Sequence, residues 1–346
     1  MRQYEVRNLP EEKKGYFSRA VAYVLTRYYV FIPASVLACM VHSIFHVSLL
    51  LSVIVLMTIG YVSSYYLEKR QKELRENKEY EARTRAKEEA AKKIWQEIDK
   101  LVGLEPVKKF LVEVEAVINA NNERKRRGMP PITQSLHMVF TGNPGTGKTT
   151  IARLVGELLR SMGALPSGHL IETDRSGLVA GYIGHTALKT MDVIGKAMGG
   201  VLFIDEAYAL ARQTGTGNWD FGSEALDTIV KAMEDHRDKL VIIFAGYRNE
   251  MQRLFDMNPG LHSRIGFFCD FPDYTPQEML ALTIILAGNQ YFRLSEEAKS
   301  LVLNHYENID IGEAGNGRYA RKLVEQAMRK AAVAGRIDTL HCEDFA

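Results

Sequence analysis

The chain has few cysteines and almost no net charge. Its 346 residues include only Cys39, Cys269 and Cys342, and no C-x-x-C pair occurs among them. This spacing excludes a disulfide framework and a cysteine zinc site, and it indicates a reducing compartment. The 44 Lys and Arg residues nearly balance the 42 Asp and Glu residues, which leaves a formal net charge of +2. Because there is no global basic excess, no nucleic acid partner is expected.

Charge is missing altogether from residues 28–67, which contain no Asp, Glu, Lys or Arg. One bilayer crossing needs about 20 apolar residues, so this block favours two crossings over one long tilted helix. Cations on both sides of the block place both flanks in the cytoplasm. We therefore predict a cytoplasmic segment at residues 1–27, a transmembrane helical hairpin at 28–67, and a multi-pass membrane protein with its remaining residues in the cytoplasm. A cleaved signal peptide has a shorter apolar core, about 7–15 residues, and a buried soluble hairpin is the other alternative.

Glycine and proline are absent from residues 68–93, which are dense in charge of both signs. Acidic residues recur four positions before basic ones, and such pairs stabilise a helix by about 0.2–0.5 kcal/mol each. Few apolar residues interrupt the run, so no coiled-coil seam is predicted. We interpret residues 68–93 as a solvated, charged helical linker.

A glycine-rich loop follows an apolar run near the middle of the chain. Residues 137–141 predict a strand, residues 151–160 predict a helix, and the loop between them fits G-x-x-x-x-G-K-[ST]. Backbone N–H groups of such a loop, with the positive end of the helix, bind phosphate oxygens. Lys148 is predicted to reach the β- and γ-phosphates of ATP, and the Thr149 hydroxyl to ligate Mg²⁺. The predicted nucleotide-binding residues of this loop are Gly142, Asn143, Pro144, Gly145, Thr146, Gly147, Lys148, Thr149 and Thr150.

A second apolar run, residues 200–204, ends in the adjacent carboxylates of Asp205 and Glu206. Its apolar character is typical of a buried parallel strand, and ligand chemistry lies at the carboxyl ends of such strands. Asp205 is predicted to hold the Mg²⁺ shell, and Glu206 to orient and deprotonate the attacking water. A further buried strand at residues 239–246 predicts a polar group near the γ-phosphate. The residues that could supply it are Tyr247, Arg248 and Asn249.

Several other segments carry a resemblance to one family: residues 101–108, 182–186, 203–208, 233–237, 245–247 and 258–264. With the phosphate loop, they resemble the AAA+ ATPases of the CbxX/CfqX type, which include red-type Rubisco activase and stage V sporulation protein K. The resemblance runs from about residue 94 to the end of the chain. It implies an α/β P-loop NTPase domain with a parallel sheet at residues 94–274, a small helical lid at 275–346, and a ring, usually a homo-hexamer.

The same resemblance implies roles for residues outside the two nucleotide motifs. Arg264 resembles the arginine finger supplied to a neighbouring subunit's ATP, and Arg318 resembles the sensor-2 arginine, with Arg321 as the weaker candidate. Tyr182, between glycines, looks like the aromatic residue of a pore loop. Residues 101–104 are expected to line the adenine pocket, which assigns Val102 and Gly103 to nucleotide binding.

The predicted function is therefore that of a membrane-anchored AAA+ ATPase. It would hydrolyse ATP with Mg²⁺ to remodel or thread a protein partner. An alternative is a nucleotide-gated ring scaffold that recruits partners without threading them. A nucleic-acid motor is a third alternative, which the balanced charge disfavours.

Overall fold

The computed structural model describes Val36, Cys39 and residues 49–182, 184–211 and 221–346. The chain divides into two compact units, residues 1–84 and 85–346. The first described element, helix α1, is Leu49–Asp99, and residues 68–93 lie wholly inside it. The glycine-free, charge-paired sequence of residues 68–93 explains why the helix continues through them.

The predicted multi-pass membrane localisation is wrong for what can be seen of the chain. Among the residues that the structure describes, no helix is both long and apolar enough to cross a bilayer. In α1, Thr58, Gly60 and neighbouring serines and tyrosines dilute the uncharged beginning, and dense charge follows from Glu68 onwards. The rest of the predicted hairpin, residues 28–48, lies outside the described residues except for Val36 and Cys39, as does the predicted segment 1–27.

A five-stranded parallel sheet forms the centre of the second unit. The strand order is β2-β3-β4-β1-β5. The middle strands β3 and β4 are buried along their whole length, whereas the edge strand β2 is only partly buried. This burial explains the unbroken apolar runs in the sequence, because both faces of the middle strands are covered. The strands are β1 (Met138–Gly142), β2 (Leu170–Thr173), β3 (Val201–Ile204), β4 (Val241–Gly246) and β5 (Phe267–Phe271).

Helices cover both faces of this sheet over two hydrophobic cores. One core joins the end of α1 with α2 and α3, and the other joins the sheet with α5, α6, α7 and α8. The helices of this domain are α2 (Glu105–Arg126), α3 (Lys148–Ser161), α4 (Arg175–Leu178), α5 (Thr186–Ala197), α6 (Phe221–Asp235), α7 (Arg248–Met257) and α8 (Pro259–Arg264), with a 3₁₀ helix at Ala207–Ala211. The alternation of strands and helices makes this an α/β domain, as predicted.

The C-terminal part is a small helical domain, also as predicted. It begins with a capping box in which Thr275 and Glu278 satisfy each other's backbone N–H groups, so the helix starts sharply at Pro276. Two short strands pair in parallel beside the helices. The elements of this lid are α9 (Pro276–Gly288), β6 (Arg293–Leu294), α10 (Glu296–Glu307), α11 (Ile311–Ala314), α12 (Gly317–Val333), β7 (Thr339–Leu340) and α13 (Cys342–Phe345).

Candidate active site

The glycine-rich loop lies between the end of β1 and the start of α3. Gly145 and Gly147 have φ angles of 76° and 96°, a region that residues with a side chain rarely adopt. Gly147 directly precedes α3, and its carbonyl oxygen accepts the N–H of Ile151 at 3.0 Å. The loop therefore turns sharply into the positive end of a 14-residue helix, which is the geometry that binds phosphate groups.

The ammonium group of Lys148 lies inside this loop. Its Nζ donates to the carbonyl oxygens of Gly142 at 2.9 Å and Asn143 at 2.8 Å. Burial lowers the pKa of Lys148, the negative charge of Asp205 opposes that shift, and the positive charge of Arg318 adds to it. Lys148 is thus placed in the electrostatic field of two other residues that were predicted to act on the nucleotide.

The two acidic residues follow β3 at the carboxyl edge of the sheet. The N–H of Asp205 donates to Thr173 O at 2.8 Å, which continues the pairing of β3 with β2 by one residue. The N–H of Glu206 donates to Asp205 Oδ1 at 3.0 Å, and Glu206 has a φ of 47°. A positive φ at a residue other than glycine is uncommon and concentrates at functional sites.

These motifs meet in one cleft of about 480 Å³ between the sheet and the lid. Lys148, Thr149, Asp205 and Glu206 line it from the α/β domain, together with several residues of the glycine-rich loop. The lid adds cationic side chains from α12 and leucines from α9. The lining residues contributed by the lid are Leu282, Leu286, Gly317, Arg318, Arg321, Lys322 and Glu325.

The segment predicted to contact adenine is divided by the fold. Leu101 and Leu104 line the cleft, whereas Val102 and Gly103, between them, do not. Gly103 has a φ of 61°, and a Cβ there would lie 2.2 Å from Glu278 Oε1 of the lid. The turn thus presents the two leucines to the cleft and the glycine backbone to the lid.

The remaining loop residues have different surroundings. Thr146 is fully buried and its hydroxyl donates to Asn143 O at 2.8 Å, which braces the loop internally. Asn143 lines a second cavity, beside the carboxyl ends of β4 and β5, rather than the main cleft. Pro144, Gly145 and Thr150 line the main cleft.

The structure separates the three candidates that follow β4. Tyr247 lines the main cleft, and its ring lies 5.9 Å from that of Tyr208. Arg248 forms an ion pair with Asp270 and, like Asn249, lines the second cavity instead. Tyr247 is therefore the one of the three that faces the same cleft as Lys148.

Arg264 and Tyr182 lie outside the cleft. Arg264 ends α8 and is held by its own chain, with Nη1 donating to Gly260 O at 2.9 Å. Tyr182 is 77% exposed in the loop between α4 and α5, beside the positive-φ glycine Gly184. Within one chain, neither side chain reaches the residues that line the cleft.

The sequence analysis did not identify all the cleft residues. Lys322 and Glu325 follow Arg318 at helical spacings of four and seven residues, so they share a face of α12. That spacing is the signal that could have identified them once the sensor-2 arginine was assigned. Nothing local in the sequence marks Leu282, Leu286 or Tyr274 as lining residues.

The donor atoms in the cleft suit a hard cation. Thr149 offers a hydroxyl and Asp205 a carboxylate, and Mg²⁺ is held through oxygen ligands of this kind with substrate phosphates and water. No group of three or more His, Cys, Asp or Glu residues capable of holding a metal occurs in the described part of the chain. The residues present thus fit a metal that shares its coordination with a nucleotide.

Comparison with protein families matches both domains. Residues 138–273 match "ATPase family associated with various cellular activities (AAA)", and residues 275–340 match the "AAA lid domain". The boundary between the two matches falls just before the capping box that begins α9.

Similar proteins cover most of the chain. Stage V sporulation protein K of Bacillus subtilis is 43% identical over 274 residues, which are 76% of this chain and 84% of that protein. A CfxQ homolog of Guillardia theta is 44% identical over 68% of this chain and 80% of its own length. A chloroplastic ribulose bisphosphate carboxylase/oxygenase activase of Cyanidioschyzon merolae is 40% identical over 72% of this chain and 85% of its own length.

Proposed function

The chain belongs to the AAA family of ATPases and is an ATP hydrolase, and on that basis we propose that it uses ATP hydrolysis to remodel a protein partner. The observation that carries the proposal is the division of the site. One cleft contains the groups needed for phosphate binding and water activation, while Arg264 and Tyr182 face away from it. A ring of such chains would use each face: one for its own nucleotide, the others for a neighbour and a partner.

We assign the roles in the cleft from position and chemistry. Lys148 binds the β- and γ-phosphates, and Thr149 and Asp205 hold Mg²⁺, which would neutralise charge on the phosphates when bound. Glu206 orients the attacking water and accepts its proton, which requires a carboxylate beside the γ-phosphate position. The lysine, threonine and both carboxylates share one cleft wall, so no large rearrangement of the sheet is needed.

The lid supplies the second wall of the nucleotide site. We assign Arg318 to the phosphates as the sensor-2 residue, with Arg321 next to it on α12. Leu101, Leu104 and Leu282 provide an apolar surface suited to the flat face of a base. Because one wall belongs to the lid, nucleotide binding and lid position are coupled.

Arg264 is proposed to act on the ATP of the adjacent subunit. An arginine that lines no part of its own cleft can stabilise transition-state charge only across an interface, and such a finger accelerates hydrolysis by about 10³–10⁵. Members of this family generally form oligomers. A homo-hexameric ring is the assembly we propose here.

The partner is proposed to be a protein that contacts Tyr182. The relative from C. merolae is named as an activase of another enzyme, which supports a protein as the object of the work. A tyrosine that is 77% exposed on a glycine-flanked loop can contact a peptide of almost any sequence. Threading through a central pore is the mode of remodelling that this placement favours.

A trap tests this proposal. Glu206→Gln keeps the phosphate-binding groups and removes the base, so the variant is expected to bind ATP and hydrolyse it at least about 100-fold more slowly. Full-length Glu206→Gln would be purified with ATP, and the proteins that co-purify would be identified by mass spectrometry. Lys148→Ala, which lacks the phosphate-binding ammonium, is the matched control.

A protein enriched with Glu206→Gln and absent with Lys148→Ala would support ATP-dependent engagement of a client. Normal ATP turnover by Glu206→Gln would overturn the assignment of Glu206. Identical co-purifying proteins in both variants, with the ring still assembled, would favour a scaffold that recruits partners without remodelling them.

A further inference from the structure

A buried asparagine stands where the lid meets the phosphate-binding loop. Asn316 lies between α11 and α12, is fully buried, and has a φ of 53°. Residues with side chains rarely adopt this backbone conformation, and a buried amide must satisfy its hydrogen-bonding groups. Both features imply that the surrounding contacts hold this residue in place.

The side chain of Asn316 makes three hydrogen bonds. Its Oδ1 accepts the backbone N–H of Tyr274 at 3.0 Å. Its Nδ2 donates to Asp273 Oδ1 at 2.7 Å and to Pro144 O at 3.3 Å. Because the Tyr274 N–H can only donate, it determines which side-chain atom is the oxygen, and both amide hydrogens are then used.

Asp273 extends these bonds to the phosphate loop. Both of its carboxylate oxygens accept from Asn143 Nδ2, at 3.0 and 2.9 Å. Asp273 is also the last residue that matches the ATPase family, and the lid match begins at residue 275. The chain Asn143–Asp273–Asn316 therefore joins the loop, the connection between the two domains, and the lid.

The backbones of loop and lid meet at the same place. Gly317 N–H donates to Gly145 O at 3.1 Å. A Cβ on Gly145 would lie 2.3 Å from Gly315 O, and one on Gly312 would lie 2.6 Å from Asp273 Oδ2. Only residues without side chains permit this approach, so the contact is built into the sequence on both sides.

We propose that Asn316 is a positioning residue for the nucleotide site, which holds the outer carbonyl groups of the phosphate loop against the lid. Lys148 engages the carbonyl oxygens of Gly142 and Asn143, while Asn316 and Gly317 engage those of the next two residues, Pro144 and Gly145. With its carbonyl groups held from two sides, the loop keeps its N–H groups available for phosphate. The inference rests on the nucleotide-binding role proposed for this loop.

The position of Asn316 also determines what its loss would do. Arg318, two residues later, lines the cleft, so a displaced Asn316 would move the lid arginine and the phosphate loop together. Asn316 itself is not a cleft-lining residue. Its loss should therefore weaken ATP binding more than the chemical step.

The experiment compares Asn316→Ala with wild type and with Asn289→Ala, an exposed asparagine of the same lid. Steady-state hydrolysis by the full-length chain gives kcat and KM for Mg-ATP. Loss of one buried hydrogen-bonding side chain predicts a KM about tenfold higher, with kcat changed by less than about threefold. Asn289→Ala should match wild type. A KM within about twofold of wild type in folded Asn316→Ala would overturn the inference.

A second set of variants decides the matter if Asn316→Ala does not fold. Asn316→Asp sets two carboxylates against each other and should raise KM, and pairing it with Asp273→Asn restores one donor and one acceptor. A double variant with a lower KM than Asn316→Asp supports the inference, and one with no improvement overturns it. Lys148→Ala is measured in parallel: if its KM stays normal, the assignment of the phosphate loop fails instead.

Discussion

Arg264 lies against Glu234 of its own chain, with Nε 3.5 Å from Glu234 Oε2. Glu234 belongs to α6, and Arg264 ends α8, so the contact joins two helices on the same face of the sheet. The arginine side chain is about one-third exposed. It is thus directed by its own fold yet remains accessible to a second molecule.

Mixing two inactive variants should restore ATP hydrolysis if Arg264 acts on a neighbour. Arg264→Ala keeps its nucleotide cleft but lacks the finger, whereas Lys148→Ala keeps the finger but lacks phosphate binding. Each variant alone should lose at least about 100-fold in kcat, because fingers of this kind contribute about 10³–10⁵. Hydrolysis by mixed assemblies, measured over a range of mixing ratios, checks this.

The control for the mixing experiment combines Arg264→Ala with the double variant Arg264→Ala/Lys148→Ala, which has no finger to donate. Recovery in that mixture, or none in the first mixture although the chains co-assemble, would contradict action in trans.

Replacing Tyr182 with alanine should uncouple ATP hydrolysis from work on a partner. The side chain is exposed and distant from the cleft lining, so kcat for ATP should stay within about twofold of wild type. Remodelling of a client found with the Glu206→Gln trap should be lost. Tyr182→Phe, which keeps the ring, should retain it; equal remodelling by all three proteins would contradict a pore-loop role.

Two helical glycines should respond in opposite ways to alanine. In α3, a Cβ on Gly156 would lie 2.4 Å from Gly168 O and 3.3 Å from Val201 Cγ2. Gly156→Ala should therefore lower the free energy of unfolding by about 1–3 kcal/mol, as overpacking does. In α5, nothing lies within 4 Å of a Cβ on Gly195, so Gly195→Ala should raise it by up to about 1 kcal/mol.

Denaturant unfolding of both variants tests the difference. If Gly156→Ala is as stable as Gly195→Ala, the close approach between α3 and the segment before β2 does not exist in solution.

His137 should make the fold sensitive to acid. The ring is buried, its Nδ1 accepts the N–H of Ile242 at 3.0 Å, and its Nε2 lies 3.0 Å from Met233 O, to which it donates. Burial lowers the pKa of His137 below its ordinary 6.5, although the Met233 carbonyl opposes the shift. The unfolded chain therefore binds this proton more readily, so stability is complete above pH 6.5 and falls as the pH drops through the folded-state pKa.

Unfolding measured from about pH 8 to pH 5 should show this loss in the wild-type protein. His137→Gln should be less stable by about 1–2 kcal/mol at pH 8 and should lose part of the pH dependence. His236→Gln, at an exposed position, should keep the wild-type dependence. An unchanged pH profile in His137→Gln would show that another group is responsible.

The α/β architecture could be predicted because its signals are local. Buried strands such as β3 and β4 are continuous apolar runs, and the phosphate loop is a short motif between a strand and a helix. The transmembrane hairpin was predicted from the absence of charge alone. That criterion did not weigh the small and polar residues at the start of α1 or the charged helix that continues from it.

Within the candidate site, the sequence by itself determined which chemical groups exist: a phosphate-binding loop, two carboxylates after a strand, and arginines near the end of two helices. Only the tertiary structure decided which of them meet. Tyr247 faces the cleft while Arg248 turns to Asp270, and Asn316 reaches Pro144 from 172 residues away in the chain. The physical reason is range: motifs depend on neighbours along the backbone, whereas the direction of a side chain depends on packing between segments distant in sequence.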